Sequence, residues 1–302
     1  MRRHGGTRWV AWLGALLVAS AALADGSGRE LASYYDRHMA LVGGAAYGWV
    51  GREAPQRMRA GIVAVGVGRD AYFALQEDGS LITWAGASDP ATTLMRGVSS
   101  FAVGQSGWFA IDRNDVLWHG GAGSSAPRRV AAAVIAASIG DGTDYYVTRD
   151  GVLHAKGLAH RGQYGDGQLA ATADFVSTAR DAIAVKSHTG HAIHLRRDGV
   201  VMGTGGNRFG PLSSHGLGDK ADRWGSVFDG ARAIATGSRH SAAIRGDGSL
   251  WAWGGPFGIE PRRLMDDVVA VAAGDTATIA LTGDGALWQF DGGVAPRRLA
   301  LR

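Results

Sequence analysis

Short stretches in which apolar and polar residues alternate recur along the chain, each running into a two-residue turn signal. Phe73, Leu75, Asp78-Gly79 and Leu81 set the pattern. Every second position is apolar on the way into the turn, and the alternation resumes on the way out. Such alternation makes a strand with one buried face, and Asp-Gly supplies the positive-φ geometry of a tight hairpin. The same signal stands at Asp150-Gly151, Asp198-Gly199, Asp247-Gly248 and Asp284-Gly285, with Asn114-Asp115 as a weaker form and Ala45-Ala46 as a degenerate one. Seven hairpins are therefore predicted.

Fixed offsets from these turns hold the same chemistry. Five positions upstream stand Phe73, Phe109, Tyr145, Ile193, Ala242, Ile279 and Ala40; three upstream stand Leu75, Ile111, Val147, Leu195, Ile244, Leu281 and Val42. Three positions downstream stand Leu81, Leu117, Leu153, Val201, Leu250 and Leu287, with Gly48 departing. Ten upstream the chain has Gly68, Gly104, Gly140, Gly237 and Gly274, with His188 and Tyr35 as the two exceptions. Each unit has room for two more strands, such as 268–271 before the glycine and 261–264 after the tryptophan. Units of this size match a four-stranded propeller blade. An open solenoid of the same units would need polar end caps, which neither terminal unit supplies. The expected fold is all-β: a seven-bladed β-propeller of four-stranded antiparallel blades at about 29–60, 61–97, 98–130, 131–180, 181–229, 230–266 and 267–302. Which strand completes the ring is left open by the pattern.

Composition agrees with many short strands. The chain has 48 glycines, 7 prolines and 46% hydrophobic residues, without collagen's period or a disordered segment's low complexity. It has no cysteine, hence no disulfide and no thiol nucleophile. The first residues read differently. Arg2, Arg3 and Arg8 make a basic start, residues 9–22 are mostly apolar, and Ala22-Leu23-Ala24 offers a small-residue cleavage site. Residues 1–24 are expected to be a secretory signal peptide, leaving 25–302 as one propeller with no membrane span. A periplasmic or secreted location follows. Cleavage removes three arginines and no acid, taking the formal charge from +4 to +1, so the basic isoelectric point is no argument for nucleic acid.

The repeated unit resembles the regulator of chromosome condensation repeat family, whose units carry a glycine, a hairpin, a Trp-Gly pair and a Gly-Gln-Leu-Gly-type loop. The stretch from Gly157 through His160, Gly162, Gln163, Tyr164 and Gly165 to Gly167 is similar to that loop, and Gly205 to Leu212 is similar in part. Other units have shorter loops, for example 254–258. The resemblance spans about 29–302 and implies an exported, bacterial-type member with a seven-bladed propeller. It does not imply one function, since the family ranges from nucleotide-exchange factors on chromatin to secreted enzyme inhibitors and interaction scaffolds. A signal peptide is incompatible with a nuclear role.

Several constellations imitate catalytic or metal sites. His188, His191 and His194 are spaced three apart, so along a strand they alternate faces and cannot converge on a metal. His191 also shares its repeat phase with His240. Ser238, His240, Ser241 and Asp247 are strung along one hairpin, whereas a triad needs convergence. Gly66 and Gly68 precede an alternating strand, not the helix a dinucleotide fingerprint must open. Asp141, Asp144 and Asp166 lack calcium-loop spacing. No metal and no cofactor are expected. The doublets Arg128-Arg129, Arg262-Arg263 and Arg297-Arg298, each after a proline, are read as edge protection on outer strands. Trp118, Trp251 and Trp288 share one phase, and Trp84 and Trp253 another, as blade-to-blade packing requires.

The two longest units are the informative departures, because extra loop costs ordering entropy and adds nothing to a blade. His160, Arg161 and Tyr164 lie in one insertion; Asn207, Arg208, Phe209, His215 and Trp224 lie in or beside the other. The mixture suits a protein hot spot. The expected function is a monomeric, non-catalytic module binding a protein partner, with an inhibitor of a secreted or periplasmic enzyme as its specific form. The alternative is a carbohydrate-binding or hydrolytic propeller with its site at one end of the central channel. With only 4 glutamates against 23 aspartates, a carboxylate pair is disfavoured but not excluded.

Overall fold

Seven separate four-stranded antiparallel sheets account for almost all regular structure, and in each the spatial order of strands is their order in the chain. These features come from a computed structural model that describes residues 28–121, 126–215 and 218–302. The signal-peptide expectation lies outside the described residues. The first strand of each blade, such as Arg29–Tyr34, Ile62–Val67 and Ala182–Ser187, packs against the first strands of its neighbours around a central axis. The fourth, such as Arg128–Ala131 or Arg262–Met265, lies at the rim. The three arginine doublets all sit there, in Arg128–Ala131, Arg262–Met265 and Arg297–Leu299. Charge on an outermost strand blunts edge pairing.

The core is divided as the fold demands. Among the described residues there are seven apolar clusters, one between each pair of neighbouring blades. Met39, Leu41, Val65 and Ile82 join blades 1 and 2, for example, and Ile193, Leu195, Ile234 and Trp253 join blades 5 and 6. Each such side chain contributes roughly 1.5–3 kcal/mol on burial. A blade alone would leave both faces bare.

Ring closure needs no exchanged strand. Blade 7 meets blade 1 through Leu31, Ala40 and Trp49 against Ala272, Ile279 and Leu281. Polar contacts reinforce the seam: the Gln289 side-chain amide donates to Gly51 O at 3.2 Å, Arg297 to Arg52 O at 2.6 Å, and Arg57 N to Arg302 O at 2.9 Å.

Blade 1 corrects one expectation. Its hairpin turns at Gly43-Gly44, between strands Arg37–Val42 and Ala45–Val50, so Ala45 and Ala46 are strand residues. Both glycines have positive φ, 59° and 74°, which is why they take the turn. The residue that closes the inner hairpin, as Gly68 does with Ala71 in blade 2, is accordingly Tyr34 paired with Arg37, one position before Tyr35.

The turn from first to second strand and the loop from third to fourth emerge on the same side of every blade; this side is called the upper face. The Asp-Gly turns and the links between blades form the lower face. Repeat glycines let the inner turns touch around the channel mouth. A Cβ on Gly274 would lie 2.1 Å from Tyr35 O, and one on Gly237 would lie 2.3 Å from Gly274 O. With glycine there, Ser238 N donates to Gly274 O at 2.9 Å and Asp275 N to Tyr35 O at 2.8 Å. Among the described residues no helix is long and apolar enough to cross a membrane.

Candidate interaction face

The two insertions are the third-to-fourth-strand loops of blades 4 and 5, side by side on the upper face. Seven of the eight candidate residues lie in them, and Trp224 lies beside them on the fourth strand of blade 5, Lys220–Phe228. His160, Arg161, Arg208 and Phe209 are exposed. Tyr164 is buried, its hydroxyl donating to Gly157 O at 2.7 Å and accepting from Thr172 N at 3.2 Å. Asn207 accepts from Leu212 N at 3.0 Å and donates to His215 O at 3.2 Å, while the His215 ring lies 3.0 Å from Arg223 O. Trp224 is half-buried, edge-on to His194 at 4.7 Å, and covers Gly165. Four of the eight therefore shape the loops and four present a surface.

Phe209 is fixed from below and above. Its carbonyl accepts from Gly255 N at 2.7 Å, and the Arg239 guanidinium lies over its ring at 4.8 Å. Ile259, on the equivalent loop of blade 6, packs against the Gly210 position. Among the described residues the exposed large apolar side chains are Tyr35, Leu158, Leu169, Phe209, Ile259 and Val294. All six lie on inner turns or outer loops of the upper face. Among the described residues the lower face has none.

At the centre of this face, away from both insertions, lies a further cluster. Asp141, on the inner turn of blade 4, accepts from Tyr34 OH at 2.9 Å, Tyr35 OH at 2.6 Å and Thr189 Oγ1 at 3.0 Å. His188 stacks on Tyr34 at 5.4 Å and meets Tyr35 edge-on at 5.2 Å. Burial works to raise the Asp141 carboxyl, but the Tyr35 hydroxyl, the neighbouring His188 ring and the Tyr34 and Thr189 hydroxyls together outweigh it and hold the group below the ordinary carboxylate range. Burial lowers His188, whose Nδ1 lies 2.8 Å from Thr189 Oγ1 and 2.9 Å from Thr189 N. Burial, reinforced by the Asp141 bond, pushes the Tyr34 hydroxyl up. A signal for the cluster was present: Tyr34 and His188 occupy the inner-turn position that five blades give to glycine, and the rings meet across the axis.

The histidine run is dispersed. His188 is at the mouth, His191 reaches Ser241 Oγ at 3.3 Å, and His194 lies against Trp224. His240 reaches Thr278 Oγ1 at 2.9 Å. His191 and His240 thus make the same contact from one blade to the next. Among the described residues no three His, Cys, Asp or Glu side chains gather as a metal site.

One blade matches a known repeat. Residues 231–256 match the model of the Regulator of chromosome condensation (RCC1) repeat. The RCC1-type match covers the first three strands of blade 6, including the Gly237 turn and His240. Yeast RCC1 (Prp20), in its structure with Kap60, is similar at TM-score 0.69 and 16% identity, over 80% of this chain and 73% of that one. Prp20p from Saccharomyces cerevisiae, described with its binding to Gsp1p and histones, gives TM-score 0.67 at 15% identity over 83% and 81%. The ectodomain of the Arabidopsis thaliana receptor kinase ACR4 gives 0.56 at 12% identity over 91% and 98%. At these identities the likeness shows the fold. No curated protein matches.

Proposed function

We propose that this chain is a non-catalytic, exported propeller that binds a protein partner with its upper face. The observation that carries the reading is the confinement of all six exposed large apolar side chains of the described residues to that face. Apolar patches rimmed by arginine are how protein interfaces look before they close. Phe209 with Arg239 and Arg208 above it, and Ile259 beside it, form such a patch. The RCC1-type likeness is to proteins whose structures are described with protein partners.

Two features support a non-catalytic reading. The Asp141 carboxylate is occupied by three hydroxyls and held ionised, so it is poorly suited to donate a proton. His188 has Nδ1 committed to Thr189 and its ring packed between two tyrosines. Export rests on the basic, apolar and small-residue order of residues 1–24, and inhibition of a secreted or periplasmic enzyme, as the specific form of binding, rests on the resemblance to a repeat family that includes secreted enzyme inhibitors.

Affinity capture from the envelope and medium of the exporting cell tests the face directly. A Phe209→Ala/Ile259→Ala variant should lose a protein that the unaltered chain retains, while a lower-face Arg113→Ala control keeps it. Equal retention by both variants contradicts the proposal.

A further inference from the structure

The inner turns around the channel mouth are unequally charged. They carry Asp36, Asp70, Asp141 and Asp275 against Arg69 and Arg239, and Arg239 leans outward onto Phe209. The mouth is thus an acidic centre inside an apolar surround. Its carboxylate on the axis, Asp141, is oriented by three hydroxyls from two other blades and needs no reorganisation to meet a cation. Its neighbours are the exposed ring of Tyr35, 38% accessible, the ring of Tyr34, and His188, which is 7% accessible with Nε2 unpartnered. His188 is neutral at physiological pH and does not repel a positive charge. A ring face beside a carboxylate is the arrangement that holds an organic cation.

The open acceptor positions of Asp141 select the cation. A carboxylate offers about four acceptor positions. Oδ2 takes Tyr35 and Thr189 and Oδ1 takes Tyr34, so one position, on Oδ1, remains. A guanidinium needs two parallel acceptors for its fork, whereas an ammonium is a point charge satisfied by one. We propose that the channel mouth is an ammonium-recognition site into which the protein partner inserts a lysine side chain, the apolar loops around it seating the flanking residues. This rests on reading the upper face as the binding face.

The site can be tested without the partner. Nα-acetyl-lysine-N-methylamide, titrated into isotopically labelled protein, should saturably shift the amides of Tyr35, Thr189 and Asp275. Asp141→Asn should weaken it by about tenfold or more, as loss of a charge-assisted hydrogen bond requires. Tyr35→Ala, which leaves the carboxylate in place, should weaken it several-fold, and the arginine and norleucine counterparts should bind less well than lysine. The proposal is overturned if those amides do not shift saturably, if both variants bind as the unaltered protein does, or if arginine or norleucine equals lysine. Phe209→Ala/Ile259→Ala should keep lysine binding while losing the partner. Failure of the mouth and failure of the face are therefore read separately.

Discussion

Tyr34 and His188, from blades 1 and 5, stack with ring centroids 5.4 Å apart and planes 29° apart across the mouth of the central channel. Both stand where other blades have glycine, so the inner turns of these two blades send rings over the axis while the others only touch their neighbours. The Tyr34 hydroxyl then binds Asp141 of blade 4, tying three blades together. Tyr34→Phe removes a hydrogen bond to a charged acceptor and should cost about 1.5–3 kcal/mol. Denaturant unfolding of the variant checks this, and an unchanged midpoint would show that the clasp adds no stability.

Glycine at the remaining inner turns has a steric basis that substitution can expose. Gly274→Ala places a methyl 2.1 Å from Tyr35 O on the closing seam, and should destabilise by about 1–3 kcal/mol or more, as overpacking does. Gly246, with nothing within 4 Å of its Cβ position, is the control. Gly246→Ala should be neutral within about 0.5 kcal/mol. The pair of melting curves separates crowding from any general cost of adding a methyl group.

Acid should unfold the propeller from a well-defined pH. Burial lowers His38 to about 4 and His191, His194 and His240 to about 3. An unfolded histidine takes up its proton near pH 6.5, while the folded chain refuses it. The unfolded state therefore binds more protons between about 6.5 and these lowered values, and stability is full above that window and falls as pH drops through it. Each such histidine contributes a slope of up to about 1.4 kcal/mol per pH unit. His240→Gln should remove about one proton from the slope of stability against pH between 6 and 4.5. Equal slopes in the two proteins would contradict the assignment.

The candidate loops should divide by burial. Arg208→Ala and Phe209→Ala, on exposed side chains, are expected to change stability by no more than about 0.5 kcal/mol. Tyr164→Ala, which empties a buried ring site and strands Gly157 O and Thr172 N, should cost about 3–5 kcal/mol. Calorimetry of the three variants measures the division. A destabilised Phe209→Ala would mean that this ring supports the loop and does not simply face solvent.

The fold was legible because a blade repeats its physics: apolar pairs such as Phe73/Leu75 and Ile279/Leu281 enter the same turn in each copy and bury against the next blade. Blade 1 was harder. Its Gly43-Gly44 turn lacks aspartate and is one residue shorter than the turns that join Gln76 to Ser80 or Arg245 to Ser249, which shifted the count by one and put Tyr35 in the place of Tyr34. For the site, loop length pointed to the upper face but not to which residues face outward. Tyr164 and Asn207 look like binding groups in composition, yet a long excursion between strands must satisfy its own backbone, and they do that work. The mouth cluster draws on blades 1, 4 and 5, and no local spacing encodes a meeting of residues 107 positions apart.

A photoreactive residue in place of Ile259 on the upper face, compared with one in place of Glu77 on the lower, tests the central claim most directly in the exporting cell. A discrete protein adduct is expected from the Ile259 position, weakened by Phe209→Ala, and none from Glu77. Adducts from Glu77 alone, or none from either position, would contradict it.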